Sequence, residues 1–158
     1  GVVRRPQKIG SSWQNPYFSF TKPTVIEEIT EAVKSGSEAL EILRGMGLEN
    51  IAGRSPFTLS MGQARLISIL LALAWKPQAI LLDEPTNGLS CEWKARVWKT
   101  LRNLDTTIVI ASHDIEFAFT ISDKIIVLDE GKVIGQGSPE DIIEKGYLRT
   151  LGLPEPEA

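Results

Sequence analysis

The stretch Ala79-Ile80-Leu81-Leu82-Asp83-Glu84-Pro85-Thr86-Asn87-Gly88-Leu89-Ser90 limits what this chain can fold into more than any other. Apolar residues run without alternation into two adjacent carboxylates, and a proline and a glycine then break the chain. That is the pattern of a strand buried on both faces of a parallel sheet, with the acids at its carboxyl end. Open α/β sheets bind their ligands outside the carboxyl ends of their strands. An Asp followed by a Glu there can divide the work of a phosphate site, one carboxylate near Mg²⁺ and the other near an attacking water. A buried strand whose exit is merely acidic fits the same residues, so this stretch sets the fold class and leaves the chemistry open.

Such a sheet needs a core, and 158 residues, 42% of them hydrophobic, suffice for one domain or most of one. The formal net charge is −3 and Lys and Arg are scattered with no basic run, which argues against nucleic acid as a partner. Cys91 is the only cysteine, so no intrachain disulfide can form, in keeping with a reducing compartment. The longest apolar run, Leu66 to Trp75, is interrupted by Ser68 and is about half the roughly 20 residues that a bilayer crossing needs. No secretory signal is visible, and Gly1 opens a stretch that reads as the middle of something longer.

Along the chain, Gln7 to Trp13 reads as a short strand that Gln14-Asn15-Pro16 ends, because the residue before a proline avoids helix. Gln14 then sits at a strand exit, as the acids do. Pro23 to Ile29 reads as a helix start with acids in its first turn, where the helix dipole favours them. Ser37 to Met46 reads as a second helix, with Ser35 and Glu38 placed for a capping box and Gly45 and Gly47 for a stop. Leu59-Ser60-Met61-Gly62-Gln63 then precedes an Ala64–Trp75 helix that is apolar nearly all round and therefore buried, with a pinned amino end. A hydroxyl, a glycine and unpaired N–H groups at a fixed helix start suit an anion; Ser60 as a plain N-cap suits the same residues.

After the acidic strand, Cys91 to Leu104 reads as a helix, and Trp93 and Trp98 serve packing or partner contacts. Thr106 to Ala111 reads as a second buried strand that exits into Ser112-His113-Asp114. His113 is the only histidine, which speaks against a metal centre; as a strand-exit residue it can be structural or can meet a phosphate through its ring N–H. Lys124 to Gly137 reads as two strands around a turn at Glu130-Gly131, and Ser138-Pro139-Glu140 opens a final helix.

Gln14, Leu59-Ser60-Met61-Gly62-Gln63, Ile80-Leu81-Leu82-Asp83-Glu84-Pro85 and Ser112-His113-Asp114 come in the order and approximate spacing of the Q-loop, signature motif, Walker B and H-loop. In this the chain resembles ATP-binding-cassette ATPases from about Lys8 to Ile143. Gln14-Asn15-Pro16 followed by Thr24 to Ile29 also looks like the energy-coupling-factor and cobalt-type importer branch. The resemblance implies a P-loop NTPase-like α/β fold with a mostly parallel sheet. It implies a helical subdomain at about residues 22–76 inserted into a nucleotide-binding core at about 1–21 and 77–145. It further implies ATP and Mg²⁺ as cofactors, with Asp83 and Gln14 at the metal, Glu84 polarising the attacking water and His113 on the γ-phosphate. Ser60, Gly62 and Gln63 act, on this resemblance, on the ATP of a second cassette in a head-to-tail homo- or heterodimer. The remaining partners it implies are transmembrane permease subunits, with the ATPase peripheral on the cytoplasmic face of the membrane.

The chain departs from the family pattern in three ways. Met61 replaces the first glycine of Leu-Ser-Gly-Gly-Gln, and Ser90 stands where the D-loop carries Asp. No Gly-x-x-x-x-Gly-Lys-Ser/Thr occurs, so the Walker A loop that cradles the phosphates is missing from these residues. The expectation is therefore the carboxyl-terminal two thirds of a cassette, inactive by itself, its phosphate-loop strand absent from beside the strand that ends at Ala111. A cassette-like regulatory or structural partner without a phosphate loop, or a soluble ATPase outside transport, are the alternative readings.

Overall fold

A computed structural model describes residues 6–154, which form two compact units that meet in sequence between Ala111 and Ser112. In the first unit, β1 (Ile9–Ser12), β2 (Ala79–Asp83) and β3 (Thr107–Ala111) make a parallel sheet in that order, with Ser12 beside Leu82 and Asp83 beside Ala111. The register puts the ends of β1 and β2 side by side. Between these strands the chain makes a 3-10 turn, Pro16–Ser19, and the helices α1 (Val25–Val33), α2 (Gly36–Gly45) and α3 (Met61–Ala74); α4 (Cys91–Arg102) links β2 to β3.

Local chemistry fixes each helix. Thr24 caps α1 by accepting from the Glu27 amide, Glu27 and Glu28 sit in its first turn, and Lys34 closes it in the left-handed region at φ 60°. Val25, Ile29 and Ala32, spaced three and four apart, form its buried face. Ser35 caps α2 through the Glu38 amide, which realises half of the expected box, and Gly47 at φ 66° ends it. α3 is buried continuously from Ala64 to Ala72 and packs on α1, β1 and β2. Its contact with β1 is close enough that a Cβ on Gly10 would lie 2.3 Å from the carbonyl oxygen of Ala72. Ile67 and Ile80 are 0% exposed, and full burial of a side chain of that size contributes about 1.5–3 kcal/mol.

The second unit holds α5 (Ile115–Ile121), a β4 (Ile125–Asp129) and β5 (Lys132–Gly137) hairpin, α6 (Pro139–Glu144) and α7 (Tyr147–Thr150). Both turn residues, Glu130 and Gly131, have positive φ, the backbone twist that a two-residue hairpin turn favours. Val127, Ile142 and Leu148 are its buried centre, with Ile115, Phe119 and Tyr147 packed around them.

The strands differ from the sequence expectation in their burial. Ile80 and Leu82 are buried as expected, but Leu81 is 44% and Val109 54% exposed, and no residue of β3 is fully buried. Leu81 and Val109 are register partners and so share one face of the sheet, while Ile80 and Leu82 lie on the other, the face that α3 covers. An apolar run without alternation permits burial on both faces but cannot supply the second covering layer. β3 pairs with β2 alone among the described strands, and β4 pairs with β5.

Candidate functional site

The sheet edge where β1 and β2 end collects three of the residues singled out from sequence. Asp83 is the last residue of β2 and is exposed. Glu84 follows at φ 49°, a left-handed conformation that costs a non-glycine residue free energy and persists only where the surroundings enforce it. Two backbone bonds contribute: the Glu84 amide donates to the Ala111 carbonyl at 2.8 Å, and the Glu84 carbonyl accepts from the Asn87 amide at 3.2 Å. Gln14 lies two residues beyond the end of β1 with its side chain exposed, and Asn15 after it caps the 3-10 turn through the Tyr17 amide.

These exits meet on a residue that the sequence reading passed over. Arg65, on the buried face of α3, is 1% exposed. Its Nη1 donates to the Trp13 carbonyl at 2.6 Å and, more weakly, to the Asp83 carbonyl at 3.4 Å; its Nη2 donates to the Gln14 carbonyl at 2.5 Å. Burial lowers the pKa of the guanidinium, and the nearby Asp83 and Glu84 carboxylates work against that shift. A lone Arg inside a run read as apolar nearly all round was the available signal. One turn further along α3, Ser68 Oγ lies 2.9 Å from Ser12 Oγ and 2.9 Å from Ser19 Oγ, so the same helix face grips both flanks of the Gln14 loop. The Glu28 carboxylate, also buried, accepts from the Thr21 and Lys22 amides just beyond that loop.

The amino end of α3 carries Ser60, Gly62 and Gln63. Ser60 is its N-cap, and the capping box is complete: Ser60 Oγ accepts from the Gln63 amide at 3.3 Å and Gln63 Oε1 accepts from the Ser60 amide at 3.2 Å. The cap and the anion-site readings are compatible, since the box leaves the serine O–H, the glutamine NH₂ and the Met61 and Gly62 amides as donors without an intrahelical acceptor. A Cβ on Gly62 would meet Leu89 Cδ2 at 3.4 Å and the Gly88 carbonyl at 3.7 Å, so the helix start also rests on the loop that follows Glu84. Met61 is 47% exposed, and Ser90 is the N-cap residue of α4 without a side-chain cap bond.

His113 lies in the second unit, exposed, between Ser112, whose Oγ accepts from the Asp114 amide at 3.0 Å, and Asp114, which caps α5 through the Phe117 amide. The first unit thus brings Gln14, Asp83 and Glu84 to one edge and holds Ser60, Gly62 and Gln63 at the head of the helix behind it. Among the described residues no three His, Cys, Asp or Glu side chains converge as a metal cage. Mg²⁺ does not require one, because it is commonly held by one or two carboxylates, waters and substrate phosphates, and the exposed Asp83 fits that donor set.

Comparison with known proteins converges on one family. Residues 3–87 match the family described as ABC transporter. The probable amino-acid import ATP-binding protein YxeO of Bacillus subtilis is 35% identical over 96% of this chain and 68% of its own length. The energy-coupling factor transporter ATP-binding protein EcfA of Methanothermobacter thermautotrophicus is 32% identical, with 97% of this chain and 54% of that protein covered. Among solved structures, cbiO1 of Clostridium perfringens, described as part of the ABC transporter complex cbiONQ, superposes with a TM-score of 0.70 at 30% identity, covering 92% of this chain and 63% of that one. The chain therefore spans roughly half to two thirds of the length of these relatives.

Proposed function

Because this chain belongs to the ABC transporter family of ATP-binding subunits, with their P-loop NTPase fold, we propose that it forms part of an ATPase that powers a membrane importer. The observation that carries the proposal is the common edge at which Gln14, Asp83 and Glu84 emerge from adjacent parallel strands. Asp83 would hold Mg²⁺, and Gln14 would reach the metal or the attacking water. Bound Mg²⁺ would supply charge neutralisation on the phosphates. Glu84 orients and polarises the water, and His113 contacts the γ-phosphate. Ser60, Gly62 and Gln63 present their donors to the nucleotide of a second cassette, which makes the active unit a head-to-tail dimer, either of two copies or of two related subunits.

On this reading residues 22–76 are the helical subdomain and 1–21 with 77–145 belong to the nucleotide-binding core, residues 1–5 of that range lying outside the described residues. The permease subunits are the membrane partners, and the ATPase sits peripherally on the cytoplasmic face. No helix among the described residues is long and apolar enough to cross a membrane. Similarity to an amino-acid import protein and to an energy-coupling factor protein supports an importer without selecting its cargo.

The test is Glu84→Gln in the complete protein assembled with its partners. The substitution keeps the shape and removes the base, so turnover should fall by about 10²–10⁴-fold while nucleotide binding persists. Steady-state hydrolysis within about threefold of the parent would refute the assignment of Glu84.

A further inference from the structure

We propose that Arg65 is a positioning residue for the hydrolytic site, holding the backbone of Gln14 and of the Asp83–Glu84 link in the geometry that the site requires; this rests on the reading of the site given above. The bonds of its guanidinium fall on particular peptide planes. The Trp13 and Gln14 carbonyls belong to the peptide groups on either side of Gln14, and Arg65 donates to both. The φ and ψ of Gln14 are thereby fixed from behind while its side chain stays exposed at the edge.

The Asp83 carbonyl belongs to the peptide that joins Asp83 to Glu84. That plane is held on both sides, its oxygen by Arg65 at 3.4 Å and its N–H by the Ala111 carbonyl at 2.8 Å. The positive φ of Glu84 begins at this plane, so Arg65 is one of the groups that enforce a conformation Glu84 would otherwise leave.

Arg65 places its donors on the backbone of the site, so removing it alone leaves the Trp13, Gln14 and Asp83 carbonyls without this partner, whereas the rest of the buried stretch of α3 is Leu, Ile and Ala apart from Ser68. Arg65 also leaves its Nε buried with no acceptor, so the side chain is not arranged to satisfy all of its own donors. What its placement does achieve is to direct the planar fork of its Nη groups at two strand exits at once. A lysine ammonium in the same volume is a point donor and cannot reproduce that fork. Arg65 stands one helical turn beyond Met61, so the same side chain also ties the two exits to the helix whose start carries Ser60 and Gly62.

The experiment compares Arg65→Lys and Arg65→Met with the parent and with Glu84→Gln, each in the complete protein assembled with its partners. It measures kcat per nucleotide-binding site, KM for ATP, the Mg²⁺ concentration for half-maximal rate, Mn²⁺ binding in the presence of nucleotide by electron paramagnetic resonance, and the melting temperature. Arg65→Lys should lower kcat by about 10–100-fold and raise the half-maximal Mg²⁺ concentration about 10-fold, with Mn²⁺ affinity falling in parallel and KM for ATP within about twofold. A merely structural role would instead reduce the melting temperature and the number of binding sites, leaving kcat per site and the metal dependence at the parental values; that result overturns the inference. Should Arg65→Met fail to fold, Arg65→Lys decides. Loss of turnover in Glu84→Gln beside a parental Arg65→Lys overturns this inference alone, whereas an active Glu84→Gln overturns the reading of the site and this inference with it.

Discussion

Two helix starts in this protein use the same hydrogen bonds to opposite ends. At α3, Ser60 and Gln63 exchange bonds of 3.3 and 3.2 Å; at α6, Ser138 and Asp141 exchange bonds of 3.2 and 3.0 Å. Both are complete capping boxes, yet the first turn of α3 contains no acid and that of α6 contains Glu140 and Asp141. Pro139 also removes an N–H from the α6 start, whereas Met61 and Gly62 keep theirs. α6 has met its own dipole with its own carboxylates. α3 has closed its cap with a neutral amide and left the positive end of a pinned, buried helix for something else. A capping box therefore identifies a helix start but not its use; the charge of the rest of the first turn, and what fixes the helix, separate the two.

The largest expected effect separates the two starts by activity. In the complete protein, Ser60→Arg should lower turnover by about 10²-fold or more by obstructing closure over the nucleotide that the proposed dimer shares, with ATP binding to the isolated subunit nearly unchanged. Ser138→Arg should leave turnover within about twofold, since only a cap is lost. Steady-state hydrolysis and equilibrium nucleotide binding on both variants check this. Weakened monomer binding in Ser60→Arg would mean that the helix start serves nucleotide in its own chain.

Next in size is the anchoring of α3. Alanine at Gly10 would place a methyl group 2.3 Å from the Ala72 carbonyl oxygen, a backbone atom that can yield only if the helix moves off β1. Overpacking of this kind costs about 1–3 kcal/mol, or about 2–4 °C in melting temperature per kcal/mol for a protein of roughly 150–250 residues. Because Gln14 and Asp83 are tied to that helix through Arg65, turnover should fall along with stability. Gly36→Ala, at a helical position with nothing within 4 Å, is the control and should be neutral or slightly stabilising. Calorimetry on the pair, with hydrolysis measured well below the transition, decides; an unshifted Gly10→Ala would show that α3 is less firmly seated than its start requires.

The site was partly legible in the sequence, and the reason differs residue by residue. The ends of β2 and β3 were readable because an apolar run that stops at Asp83 or Ala111 leaves little choice of strand boundary, and the cap at Ser35 and the helix start at Ser138 follow from one side chain and an amide close by in sequence. Arg65 was not readable: its partners, Trp13, Gln14 and Asp83, are brought to it only by the packing of α3 on β1 and β2. The exposure of Leu81 and Val109 was not readable either, because the residues that could cover a sheet face are not specified by the strand itself. The left-handed Glu84 lies between these cases, since Asp-Glu-Pro announces a break in the strand but not the sign of φ.

At the scale of single caps the two starts should look alike. Ser60→Ala and Ser138→Ala each remove one side-chain acceptor from a first-turn amide, which costs about 0.5–2 kcal/mol. For α3 that loss is to be read in global unfolding, because the helix spans the core of its unit; for the short α6 it is to be read as faster local hydrogen exchange in the hairpin-and-helix unit. Equal global effects from both substitutions would remove the distinction in anchoring.

The smallest effect is the one that distinguishes the boxes by chemistry alone. The Ser138 amide, followed by the charge of Lys145 at 3.7 Å, holds the Asp141 carboxyl below its usual range, and Glu140 is lowered by its own backbone amide and by Ser138. A carboxyl with a folded pKa below the unfolded value binds fewer protons in the folded state. Its contribution to stability is therefore complete above the unfolded value, about 3.9 for Asp, and is lost as the pH falls through the folded one. The α3 box, closed by Gln63, contains no titrating group and should contribute no slope in that window. In complete protein labelled with ¹⁵N-serine, the Ser138 amide resonance should titrate with a midpoint below about 3.9 while the Ser60 resonance stays level. Asp141→Asn should flatten the first curve, and Gln63→Glu should introduce one into the second, with the added charge set against the anion that the α3 start is proposed to meet. A Ser60 resonance that titrates in the parent protein would mean that an ionisable group of the chain already occupies that helix end, and the contrast between the two starts would fail.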